Sequence, residues 1–156
     1  MAVRVQREAF DADAEVRALV AGRTDIGSVV TFTGLVRGKA HGHALTSLTL
    51  EHYPEMTEAE LARIEAEAVG RFGLAGSLVV HRYGELHPGD PIVLVVTLSA
   101  HRQAAFEGAE FLMDYLKSRA PFWKKEALAD GTEAWVDARE TDGEALRRWG
   151  GPSTKK

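Results

Sequence analysis

The 156-residue chain has no cysteine. That excludes disulfides, thiolate-held zinc, iron–sulfur clusters and a cysteine nucleophile. Any sulfur this protein handles must be carried by something else. Long apolar runs are missing too. The longest, Pro91 to Leu98, is far short of the ~20 residues that span a bilayer. Met1-Ala2-Val3-Arg4-Val5 lacks the apolar core of a signal peptide, so no membrane association and a cytoplasmic location are expected. Positive charge is not in excess: 19 Lys plus Arg stand against 23 Asp plus Glu, a formal net charge of −4. A generally basic nucleic-acid binder is thereby excluded. There is no phosphate-binding P-loop, no Gly-x-Gly-x-x-Gly and no Gly-x-Ser-x-Gly, which argues against an ordinary ATP or NAD enzyme and against a serine-hydrolase elbow. His41-Gly42-His43 is a possible chelate, but no His-Glu-x-x-His or carboxylate-rich loop accompanies it. Neither a metal nor a cofactor is expected.

What remains is globular. Apolar residues make up 45% of the chain and charged residues 27%. One domain is expected over 1–149, with 150–156 a frayed Gly/Pro/Ser/Lys tail. Asp11 predicts a cap for a helix from Ala12 to Ala21, ended by Gly22. Ile26 to Thr33 predicts a buried strand, Gly34 to Ala44 a polar loop, and Leu45 to His52 a half-buried strand. Thr57 and Glu60 suggest a capping box. Leu61, Ile64, Ala68 and Phe72 follow at helical spacing, and Gly73 stands at the C-cap. Ser77 to Tyr83 predicts a strand and Gly84 to Asp90 a turn. Pro91 to Ser99 predicts a central strand covered on both faces. A helix from His101 to Arg119 is stopped by Pro121. Phe122 to Ala127 and Thr132 to Ala138 flank the turn Asp130-Gly131 as a hairpin, and Glu140 to Trp149 suggests a short helix. This order predicts an α+β fold, with helices packed on a mainly antiparallel sheet.

Positive charge is local rather than general. Lys117, Arg119, Lys124 and Lys125 lie within nine positions, around Pro121, Phe122 and Trp123. A helix-to-strand corner there can turn two lysines toward one point. Strand alternation lets only one of Lys124 and Lys125 face that point. His101-Arg102 follows the central strand at a helix start, where free N–H groups attract anions. Arg37 follows the strand Ile26–Thr33. With those strands as neighbours, Arg37, His101, Arg102, Lys117 and Lys124 converge into an anion site suited to a phosphate. Plainer readings stand beside this one. Lys117 also complements a helix dipole, Lys124-Lys125 also solvates a strand edge, and Phe122 and Trp123 also serve as core.

Six blocks carry a resemblance to a known family. They are Val29-Val30-Thr31-Phe32-Thr33-Gly34-Leu35-Val36-Arg37, Leu50-Glu51-His52-Tyr53-Pro54-Glu55-Met56 and His81-Arg82-Tyr83-Gly84, followed by Ser99-Ala100-His101-Arg102-Gln103-Ala104-Ala105-Phe106, Asp114-Tyr115-Leu116-Lys117 and Pro121-Phe122-Trp123-Lys124-Lys125-Glu126. In this order they resemble the catalytic (large) subunits of molybdopterin synthases. The resemblance implies an α/β-hammerhead-type fold with an added small β subdomain, and a homodimer within a heterotetramer. It implies a sulfurtransferase that converts cyclic pyranopterin monophosphate to the dithiolene of molybdopterin. The sulfur arrives as the C-terminal Gly-Gly thiocarboxylate of a small ubiquitin-like partner subunit. It also implies roles: Lys117 and Lys124 catalytic; Arg37, His101 and Arg102 binding substrate, bordered by Lys125 and Glu126; and Phe32 beside the partner's tail. The rival readings are a non-catalytic module for a phosphorylated metabolite or nucleotide, and a scaffold for a partner protein. Substrate turnover separates them.

Overall fold

The computed structural model describes residues 2–136 and 140–150. Thirteen elements follow one another: β1 (Ala2–Gln6), α1 (Ala12–Val20), β2 (Ser28–Leu35), β3 (Lys39–Ala40), β4 (His43–His52), α2 (Pro54–Phe72), β5 (Gly76–Arg82), β6 (Gly84–Leu86), β7 (Pro91–Ser99), α3 (Arg102–Arg119), β8 (Phe122–Leu128), β9 (Glu133–Val136) and α4 (Glu140–Arg147). They build two sheets. The first has the order β1-β5-β7-β2; the second has the order β3-β4-β8-β9, with β6 also paired to β4. Among the described residues only β1 and β5 run parallel; every other pairing is antiparallel. The α+β class and the added β layer are as expected.

Strand alternation explains why β7 is apolar throughout. Leu94, Val96 and Leu98, with Leu78 and Val80 of β5, pack against Val16, Leu19 and Val20 of α1. Val93 and Val95, with Val79, point the other way onto Leu61 and Ile64 of α2 and Phe111, Leu112 and Tyr115 of α3. The first sheet is therefore covered on both faces, which only a continuously apolar strand satisfies. Among the described residues, no helix is long and apolar enough to cross a membrane.

Several expectations need correction. The N-terminal residues form a strand: Val3 and Val5 pack against the α2–α3 core, and Arg4 pairs with Glu15 at 2.5 Å. Helix α2 starts at Pro54, one turn before the expected capping box. Proline has no N–H to lose and a preset φ, so it suits the first helical position. Thr57 is then interior: its hydroxyl donates to the Tyr53 carbonyl at 2.8 Å, while Glu60 pairs with Arg63 at 2.6 Å. The expected loop 34–44 contains β3 and a tight hairpin, because His41 and Gly42 take φ of 54° and 80°. Two such residues in succession match the twist of flanking strands. Part of the expected turn 84–90 is β6, paired to Leu48–Leu50. The Asp11 cap forms, accepting from the Ala14 N–H at 3.1 Å, and Gly73 closes α2 in the left-handed region at φ 64°. Strand β9 is described as far as Val136; residues 137 and 138, expected to continue it, lie outside the described residues, as does the tail 151–156.

Candidate active site

The cleft of interest lies where the end of α3 meets both sheets. Its inner end is apolar, formed by Phe32 and Leu35 of β2, Leu48 and Leu50 of β4, and Met113 and Leu116 of α3. Its outer end is polar, formed by Arg37, Lys39, Ser118 and Glu126. Lys117 and Lys124 line both ends. Lys117 stands in the last turn of α3. Lys124 arrives from β8, after the chain has turned through Ala120 and Pro121. Phe122, Lys124 and Glu126 share one face of β8, as alternation requires, and all three line the cleft. Two elements thus bring two ammonium groups to one apolar cavity, with a guanidinium at its mouth.

Lys125 takes the opposite face. Its Nζ lies 3.6 Å from Glu133 Oε1 and 5.7 Å from the Trp135 ring centroid. It does not line the cleft. Glu126 does, and its Oε1 is 3.3 Å from His41 Nε2. Phe32 is on the edge strand β2, 40% exposed, at the apolar end.

The expected convergence of five cations does not occur within one chain. The strands β2 and β7 are neighbours, but antiparallel: Leu35 pairs with Pro91 and Ser28 with Ser99. The end of β2 that leads to Arg37 therefore lies beside the start of β7, and His101 follows its far end. The helix makes the same point. Arg102 and Lys117 are fifteen positions apart in α3, about 22 Å at the α-helical rise. His101 and Arg102 line a separate, more open surface hollow with Gln103, Phe106 and Glu107.

One group in the cleft carried no sequence-based role. His81, at the end of β5, lines the apolar end beside Lys117 and Lys124. Its ring stacks on Phe122, centroids 3.8 Å apart and planes 17° from parallel. Nδ1 is 2.9 Å from the Arg82 carbonyl oxygen. A carbonyl only accepts, so Nδ1 carries the hydrogen and Nε2 the lone pair. Burial holds the imidazole neutral and pushes its pKa down to about 4, with Lys124, Lys117 and His52 adding to the effect. The sequence shows His81 only as the end of an apolar strand; its cavity exists only after β5, β8 and α3 are packed. Among the described residues, no three His, Cys, Asp or Glu are grouped to hold a metal ion.

The family model described as MoaE protein matches residues 5–119. A molybdopterin synthase catalytic subunit of Mesorhizobium japonicum is 61% identical over 148 residues, covering 94% of this chain and 92% of that one. A molybdopterin biosynthesis MoaE protein from Burkholderia ambifaria has a similar structure, with a TM-score of 0.81 and 50% identity over 97% of this chain and 99% of its own. Molybdopterin synthase from Staphylococcus aureus gives a TM-score of 0.76 at 32% identity, covering 86% and 96%. Matched over most of its length in sequence and in structure, the chain belongs to the MoaE protein family.

Proposed function

We propose that the chain is the catalytic subunit of a molybdopterin synthase, a sulfurtransferase of molybdenum cofactor biosynthesis. It moves sulfur from the C-terminal thiocarboxylate of a small ubiquitin-like subunit onto cyclic pyranopterin monophosphate. The observation that carries the reading is the meeting of Lys117 and Lys124 in one cleft, with Arg37 at its mouth. The names of the relatives support it, and "catalytic subunit" itself speaks for a second subunit.

The reaction makes three demands. Substrate phosphate and thiocarboxylate are both anions, and a guanidinium with two ammonium groups attracts them. The thiocarboxylate sulfur bonds to a pterin carbon while an oxygen leaves, and the leaving oxygen needs a proton or a cation. Lys117 takes that role and Lys124 supports it. Water then cleaves the acyl–sulfur bond, which leaves sulfur on the pterin and a carboxylate on the partner. Phe32 and Leu35 form the wall along which an unbranched Gly-Gly tail enters, and Glu126 borders the polar end. His101 and Arg102 complete the phosphate site across a homodimer interface, since they cannot reach the cleft of their own chain. Lys125 acts only from outside the cleft.

The test is turnover by the purified chain with the sulfurated partner and the cyclic pterin. Wild type forms the dithiolene. Lys117→Ala loses nearly all of it yet keeps its fold, because the charge at a helix end contributes at most about 1 kcal/mol. A Lys117→Ala protein with wild-type turnover refutes the assignment.

A further inference from the structure

His81 is the neutral polar group on a wall otherwise made of two ammonium groups and apolar side chains. Its orientation is fixed from two directions. Phe122 holds the ring plane by stacking, and the Arg82 carbonyl holds Nδ1–H. Arg82 is itself tied down: its Nε donates to the Arg7 carbonyl at 2.9 Å and its Nη1 to the Pro91 carbonyl at 3.0 Å. An imidazole held this way has one function left, the lone pair on Nε2. The charged and titratable groups acting on it are Lys124 from β8, Lys117 from α3 and His52 from β4. Burial keeps the ring unprotonated at neutral pH, so it attracts the ammonium groups rather than repelling them.

The geometry points to His81 as a positioning residue for the lysine pair, its Nε2 accepting an ammonium N–H and so setting the aim and proton affinity of the lysine that acts on the leaving oxygen. The catalytic part of this inference rests on the sulfur transfer proposed above; the contact itself does not. Lysine suits such an arrangement because its ammonium rides on a flexible four-carbon stem. A lone pair aimed at an ammonium group fixes the direction of that group and favours its charged form. A protonated imidazole would instead add a third positive charge, and the low basicity of His81 prevents this.

Two measurements test the inference. The first needs no turnover: 15N spectroscopy of the histidine side chains in the full-length protein. The expected result is the Nδ1–H tautomer for His81 at neutral pH, with an Nε2 resonance that moves on Lys117→Met or Lys124→Met. An Nε2–H tautomer, or a resonance indifferent to both substitutions, overturns the proposal. The second is the pH profile of kcat for sulfur transfer. His81→Phe keeps the stack but removes the lone pair. His81→Asn keeps a donor for the Arg82 carbonyl but withdraws the acceptor, and serves if the Phe variant does not fold. Either is expected to lower kcat roughly tenfold to a hundredfold, the size of one hydrogen bond to a charged group. Either is also expected to move the alkaline limb of the profile to lower pH. His81→Gln places an amide oxygen near the Nε2 position and is expected to restore both. A uniform fall in kcat with an unmoved limb means a structural role and refutes the positioning role. If wild type transfers no sulfur, the functional reading fails, and the spectroscopic result still decides whether His81 contacts the lysines.

Discussion

Two residues show how context assigns a role. Arg37 sits at the mouth of the cleft with Lys117 and Lys124 behind it. Arg37→Ala is expected to weaken binding of the phosphorylated substrate by about 1.5–3 kcal/mol, one charge-assisted hydrogen bond, as read by calorimetry. His81 offers a test through stability. Unfolded, its imidazole gains a proton near pH 6.5; folded, only near pH 4. Within that window the unfolded state binds the extra proton, so stability falls as pH falls. The fall is about 3 kcal/mol if the whole interval counts. Denaturant curves at several pH values check it: the difference between wild type and His81→Phe is expected to change across that window and to be constant above it. The lysines were legible in the sequence because they cluster on either side of a helix-stopping proline. His81 was not, because a histidine at a strand end looks the same whether it meets solvent or a cavity.

Among the elements, α2 shows most clearly how buried polar contacts hold the layers together. Glu65 is 3% exposed and receives the Ser77 hydroxyl at 2.5 Å and the Ala2 N–H at 2.9 Å, both on one oxygen. It ties α2 to β5 and β1 at once. Burial raises its pKa, while Ser77 and Ala2 lower it less. The folded protein therefore holds this proton above the unfolded pKa, so ionisation at neutral pH costs stability, and the cost vanishes in acid. Glu65→Gln keeps an acceptor for both donors and is expected to match or exceed wild-type stability at pH 7, with the difference shrinking in acid. Glu65→Ala strands both donors and is expected to cost about 2–4 kcal/mol. Denaturant unfolding at neutral and acid pH distinguishes these outcomes. The same helix explains a mistaken boundary. Thr57 and Glu60 have capping-box spacing, but Pro54 starts the helix earlier, and Thr57 is drawn into a contact with His52 Nδ1 at 3.1 Å.

At the scale of the whole molecule, the cations are split between two places. Arg37, Lys117 and Lys124 share the cleft, while His101 and Arg102 lie at the far end of α3 and β7. If both groups serve one substrate, two copies of the chain must combine. A mixture of Arg102→Ala and Lys117→Ala chains, each nearly inactive alone, is expected to regain activity. Random pairing leaves one intact site in the mixed dimer, about a quarter of all sites at equal amounts when catalysis needs both residues. Turnover of the re-equilibrated mixture, with the dimer confirmed by sedimentation, is the measurement. Absence of recovery in a proven mixed dimer refutes the shared site.

Length, the absence of cysteine, the charge balance and the local periodicities by themselves determined the α+β class, most of the strands and helices, the Gly73 cap and the two lysines of the helix-to-strand corner. These depend on neighbours a few residues away, so they are written locally. Tertiary structure decided the rest. β1 and β6 are too short to show a period and exist because β5 and β4 offer them edges. The direction of β2 against β7, which separates Arg37 from His101, is a property of the pairing and of neither strand. The setting of His81 needs β5 to pack against the α3–β8 corner, which lies well downstream in the chain, because a cavity wall is made by side chains that meet only in space.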